Sequence, residues 1–120
     1  MARVQVVRVY EDPGRSGRAR RVLVDRLWPR GLSKDAVDAD EWMTAVAPST
    51  QLRRWYGHAP ERFGEFAARY REELSHEPAA SALDALRQHA SRDGLILLTA
   101  TRDVARSAAE VLCEEIERGP

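Results

Sequence analysis

The chain has 120 residues, 43% of them hydrophobic and 32% charged, with 19 basic and 19 acidic side chains and therefore no net charge. That profile describes a single folded domain and excludes a disordered tail, and no apolar run reaches the ~20 residues of a membrane helix. One cysteine, Cys113, excludes an internal disulfide, and the scattered His58, His76 and His89 offer no metal-ligand spacing, so neither a metal nor a cofactor is expected. The start of the chain carries no signal-peptide pattern, and a lone thiol suits a reducing compartment, so the expected location is cytoplasmic.

Charge is unevenly spread. Residues 1–34 hold nine Arg or Lys against three acids, Glu11, Asp12 and Asp25. A basic third of this kind either faces an anionic partner or finds its counter-charges within the fold. The second is the plainer expectation.

Val4 to Tyr10 is rich in β-branched residues and runs into Asp12-Pro13-Gly14, which predicts a strand and a turn. Pro13 to Arg20 is a Gly-, Ser- and Arg-rich loop. Arg21 to Trp28 reads as a second strand, stopped by Pro29 because proline cannot donate to a sheet ladder. Ser33 is placed to cap one helical turn and Asp40 a second, the latter carrying Trp42, Met43 and Val46. Ser49 or Thr50 caps a further helix that stops at Gly57. Pro60 opens a longer one, in which Phe63, Phe66, Ala67, Tyr70 and Leu74 form one apolar stripe. Leu83, Leu86 and Ala90 mark another helix, ended by Asp93-Gly94. Leu95 to Thr99 is a continuous apolar run, the pattern of a central parallel strand. A last helix is expected from about Asp103 to Gly119-Pro120. The fold class is therefore α/β: one domain, residues 1–120, built as a small three-layer sandwich with a short, mostly parallel sheet covered by helices.

The segment Val24-Asp25-Arg26-Leu27-Trp28-Pro29-Arg30-Gly31 resembles the signature of the YeaO-like family, domain of unknown function 488. The likeness continues through Ser33-Lys34, Asp40-Glu41-Trp42, Ala47 to Arg53, Gly57-His58 and Pro60 to Phe63. The resemblance implies a fold and site positions, and no reaction. The chain departs from the family pattern near its C-terminus. Where relatives resemble two leucines, an aromatic, two small residues and a lysine, then Asn-His, this chain has Leu97-Leu98-Thr99-Ala100-Thr101-Arg102, then Ser107-Ala108.

Two strand ends carry the candidate chemistry, since ligands of open α/β sheets bind beyond the carboxyl ends of strands. Asp25, Arg26, Trp28 and Arg30 follow the second strand. Thr101 and Arg102 follow the last one, where hydroxyls and a cation at a helix start would cradle an anion. With Arg53, these residues form the expected site for a small phosphate- or carboxylate-bearing ligand. Asp25 is expected to pair with Arg30, Arg53 or another distant arginine, which would push its carboxyl down. The plainer reading makes these residues sheet-to-helix locks and caps. Arg15, Arg18, Arg20 and Arg21 form the alternative, a mobile nucleic-acid contact. A non-catalytic interaction protein is the third possibility. Cys113, deep in the last helix, lacks the electropositive setting of a reactive thiol. His58 sits in a loop, as a general acid or base, a cap or a surface residue. His76 and His89 read as surface helix positions.

Overall fold

The computed structural model describes residues 3–119; the leader reading at Met1 and Ala2 and the helix stop at Pro120 lie outside them. Four strands form one all-parallel sheet: β1 (Val4–Arg8), β2 (Arg20–Leu23), β3 (Glu41–Trp42) and β4 (Leu95–Thr99). Their spatial order is β1-β4-β2-β3. The apolar run 95–99 is central because it is apolar on both faces, and Leu97 and Leu98 are wholly buried. Fully burying one such leucine is worth about 1.5–3 kcal/mol.

Strand alternation splits the core. Val22, Leu95 and Leu97 face four helices, α1 (Thr50–Tyr56), α2 (Phe63–Leu74), α3 (Ala79–Arg92) and α4 (Ala108–Arg118). Val9, Leu23, Val37 and Leu98 form a smaller cluster on the other face. That face is covered by 3-10 turns and extended segments bearing Trp28, Leu32 and Ala39, so the third layer is thin. The expected stripe of α2 is buried as Phe66, Ala67, Tyr70 and Leu74. Phe66 stacks on Tyr56 of α1 at 4.3 Å between ring centroids.

Local sequence explains the helix ends. The Ser49 side chain accepts the Leu52 amide at 3.1 Å, and Gly57, at φ 53°, takes the left-handed conformation that closes α1. Pro60 opens a 3-10 turn, Pro60–Arg62, and α2 proper starts at Phe63.

Three expectations need correction. Asp40 caps no helix: its carboxylate accepts the Arg21 amide at 2.9 Å, and its own amide donates to the Arg21 carbonyl at 2.7 Å. Glu41–Trp42 then pairs with Val22 and Leu23 as a fourth strand, followed by a 3-10 turn at Thr44–Val46. The second strand stops at Leu23, five residues early, because the chain bends at Asp25 to bond the end of β4. The last helix starts at Ala108; Val104–Arg106 is a separate 3-10 turn.

Candidate functional site

Because every strand is parallel, all carboxyl ends share one edge, and Arg8 lies level with Thr99 and Leu23 level with Leu98. The segments leaving β1, β2 and β4 diverge there around a cavity of about 610 Å³. Asp25, Arg26, Trp28, Arg30, Arg53, Thr101 and Arg102, all the residues expected of an anion site, line it. Arg30 and Arg102 therefore share one cleft.

The floor is tied together by Asp25. Its Oδ1 accepts the Thr99 hydroxyl at 2.7 Å and its Oδ2 the Ala100 amide at 2.7 Å. The Thr99 oxygen in turn accepts the Thr101 amide at 3.2 Å. This corrects the expected Asp25–arginine pair: among the described residues no arginine makes an ion pair with it. Burial holds the Asp25 carboxyl above its usual range, against the opposing pull of the Ala100 and Thr99 hydrogen bonds and the nearby His58. The expected downward shift is reversed because no guanidinium compensates the lost water.

Arg26 is also spoken for. Its guanidinium donates to the carbonyls of Pro48 at 3.0 Å and Ala47 at 3.4 Å, fastening the bend to the start of α1. Trp28 donates to the Leu32 carbonyl at 2.6 Å and meets Trp42 edge-on at 5.3 Å. Trp42 donates to the Asp25 carbonyl at 2.7 Å. The tryptophans thus fix the bend while Trp28 presents its body to the cavity.

Arg30, Arg53 and Arg102 are different. All three are exposed, and among the described residues none has a carboxylate or a side-chain hydrogen-bond partner. The cavity wall holds four arginines and two aspartates, and Asp103 is paired with Arg106 at 2.9 Å. The start of α4 also borders it, through Ser107 and Ala108, adding the positive end of a helix dipole. The cap there is Ser107, which accepts the Glu110 amide at 3.1 Å; Thr101 and Asp103, expected as caps, precede the intervening 3-10 turn.

Tyr10, Tyr56 and His58 complete the wall. Tyr10 donates to the Arg30 carbonyl at 2.7 Å, and Tyr56 to the Arg106 carbonyl at 2.7 Å. Burial, helped by Asp103, pushes the Tyr56 hydroxyl up, so it stays a neutral donor. The β-rich run that ends in Tyr10 and the Gly57-His58 pair were the available sequence signals, but neither names the cavity.

The arginine loop is differently employed. Arg15 pairs with Asp40 at 2.7 Å, Arg20 with Glu41 at 3.1 Å, and the buried Arg21 with Asp12. Arg18 alone of the four has no carboxylate partner among the described residues. Three of the four loop arginines thus meet counter-charges inside the fold, and Arg21 is inaccessible to a nucleic acid. Cys113 is buried, and burial, with Glu117 and Glu110, pushes its thiol up to about 12.

The fold and the cavity define an α/β domain with an all-parallel sheet and an arginine-lined cavity at its carboxyl edge. The chain belongs to the DUF488 family: the model of the group described as "Inactive DUF488-N3 subclade" matches residues 3–119. It is 53% identical to "Uncharacterized protein Rv3073c" of Mycobacterium tuberculosis over 112 residues, 93% of this chain and 92% of that protein. It is 35% identical to "Uncharacterized protein YeaO" of Escherichia coli over 112 residues, 92% of this chain and 94% of that one. No solved structure matches.

Proposed function

We propose that the protein binds a small anionic metabolite, bearing phosphate or carboxylate, in the cavity at the sheet's carboxyl edge, and does not transform it. The observation that carries this reading is the convergence of Arg30, Arg53 and Arg102 on one cavity with no carboxylate partner among the described residues. Guanidinium groups suit phosphate and carboxylate through paired donors. A volume near 610 Å³ lies within the range of small-molecule sites, and Trp28, Tyr56 and Phe66 give the wall an apolar share.

Binding is favoured over processing by the state of Asp25. A general base must be free to reach a substrate proton, and both oxygens of Asp25 already accept hydrogen bonds from the protein. The family description, with its word "inactive", points the same way.

Calorimetric titration with inorganic phosphate and with citrate tests the reading. Wild-type protein should bind at least one of them, and Arg30→Ala with Arg102→Ala should lose at least about tenfold, equivalent to ~1.4 kcal/mol. Binding that the double variant leaves intact, or no binding of either anion, would overturn it.

A further inference from the structure

We infer that His58 is a ligand-contacting residue of this cavity, and that its protonation joins the arginine cluster and strengthens anion binding at acid pH. The inference rests on the anion-cavity reading above.

The backbone is the first observation. Gly57, at φ 53°, already closes α1 in the left-handed conformation. His58 follows it at φ 57°, the one non-glycine residue with positive φ among those described. Glycine takes that conformation freely, whereas a β-carbon brings it against the carbonyl oxygen. Histidine tolerates it better than most residues, and side chains held there cluster at ligand sites.

The second observation is placement. The two left-handed residues set His58 on the cavity wall, its ring 6.0 Å from that of Tyr56. The imidazole is exposed and has no hydrogen bond or ion pair among the described residues. No structural duty within the fold accounts for it.

The charges around it come from every bordering element. Arg53 and Tyr56 stand on α1; Asp25, Arg26 and Arg30 follow β2; Arg102 and Asp103 follow β4. Glu61 and Arg62 lie in the turn just beyond. Asp25 attracts His58 electrostatically, while its own oxygens are bonded inward to Thr99 and Ala100. The imidazole is thus left to the ligand. Protonation of the imidazole adds a positive charge beside the arginines, so a ligand anion and a proton should bind there cooperatively. By linkage, each strengthens the other by the same factor.

Sulfate is the suitable probe, because it keeps its charge across the range in which imidazole titrates. Wild-type protein should bind sulfate about tenfold tighter near pH ~5.5 than near pH ~8. In His58→Gln, and in His58→Gly, which suits the left-handed turn and secures a folded variant, binding at acid pH should fall to about its alkaline level, so that the pH dependence is lost. In proton NMR at acid pH, sulfate should move the ring resonances of His58 and leave those of His76 and His89 in place. Sulfate binding that Arg30→Ala weakens, but with the same pH dependence in both His58 variants, sinks this inference and leaves the anion cavity standing. No sulfate binding at either pH removes both.

Discussion

Asp25 and Thr99 stand 74 residues apart in the chain and 2.7 Å apart in the fold. The carboxylate that leaves β2 holds the hydroxyl that ends β4, and its other oxygen holds the next amide, Ala100. Two neighbouring strands are thereby locked where they open, just before the segments that carry Arg30 and Arg102.

Removing the lock should cost stability. Asp25→Ala leaves the Thr99 hydroxyl and the Ala100 amide without their partner, and an orphaned buried donor costs about 1–3 kcal/mol. We expect a loss of roughly 2–4 kcal/mol in urea unfolding, since water reaches part of the gap. Wild-type stability in that variant would show the lock to be ornamental.

The same carboxyl sets a pH dependence of unusual sign. Its folded-state value is raised above the ordinary 3.8, so across that window the native state holds more protons than the unfolded chain. Stability from this group therefore falls as pH rises through the window, the reverse of a salt-bridged aspartate. Unfolding of wild type and Asp25→Asn, followed from about pH 3.5 upward, should show the wild-type advantage shrinking as pH rises. A growing advantage would mean that the hydrogen bonds outweigh burial.

Arg21 is 2% exposed and is balanced by Asp12, with its Nε donating to the Asp38 carbonyl at 2.6 Å. Arg21→Ala strands Asp12, and breaking a buried pair costs about 3–5 kcal/mol. Arg21→Met combined with Asp12→Asn should be more stable than Arg21→Ala, because no bare charge remains. Thermal unfolding of both variants checks the order.

The sequence carried much of this frame and little of its wiring. The apolar run 95–99 declared a central strand because both of its faces are buried. The α2 stripe was equally plain, because four helical positions meet one core. β3 was hidden: two residues, Glu41 and Trp42, are too few to show alternation, and Asp40 mimics a helix cap. The candidate residues other than Arg53, which stands on α1, were legible as strand ends, and all of them line one cavity. Their partners were not. Asp25 lies beside Arg26 in the chain and bonds neither it nor Arg30, since the bend after β2 turns its carboxylate onto the hydroxyl and amide that follow β4 while the Arg26 guanidinium goes to the Pro48 and Ala47 carbonyls. His58 and Tyr10 reach the cavity through turns whose direction local sequence does not encode.

Cys113 should be silent in the native state. It is 7% exposed, and burial with two glutamates pushes its thiol up to about 12, so almost no thiolate exists at neutral pH. Iodoacetamide at about pH 8 should leave the folded protein unlabelled and label it fully in denaturant. Rapid labelling of native protein would contradict the burial.

Tyr10 separates the binding reading from stability. It lies just past β1, with the Arg8 guanidinium over its ring at 4.7 Å, and its hydroxyl donates to the Arg30 carbonyl at 2.7 Å. That bond tethers the bend after β2 at the position from which Arg30 borders the cavity, next to the left-handed Gly31 at φ 82°. Tyr10→Phe removes the tether and keeps the ring. The hydroxyl is at an exposed residue, so water replaces the lost partner and global stability should change by less than about 0.5 kcal/mol. Arg30, however, gains freedom that a bound anion must remove again, and that ordering is charged against affinity. A tether worth up to about 0.5 kcal/mol corresponds to an anion bound up to roughly 2-fold weaker. Arg30→Ala, which deletes the guanidinium itself, should weaken binding further. Titrating phosphate or sulfate into the three proteins orders them as wild type, Tyr10→Phe, Arg30→Ala. If Tyr10→Phe instead binds like wild type while Arg30→Ala fails, Arg30 finds its own position and the tether contributes nothing to recognition.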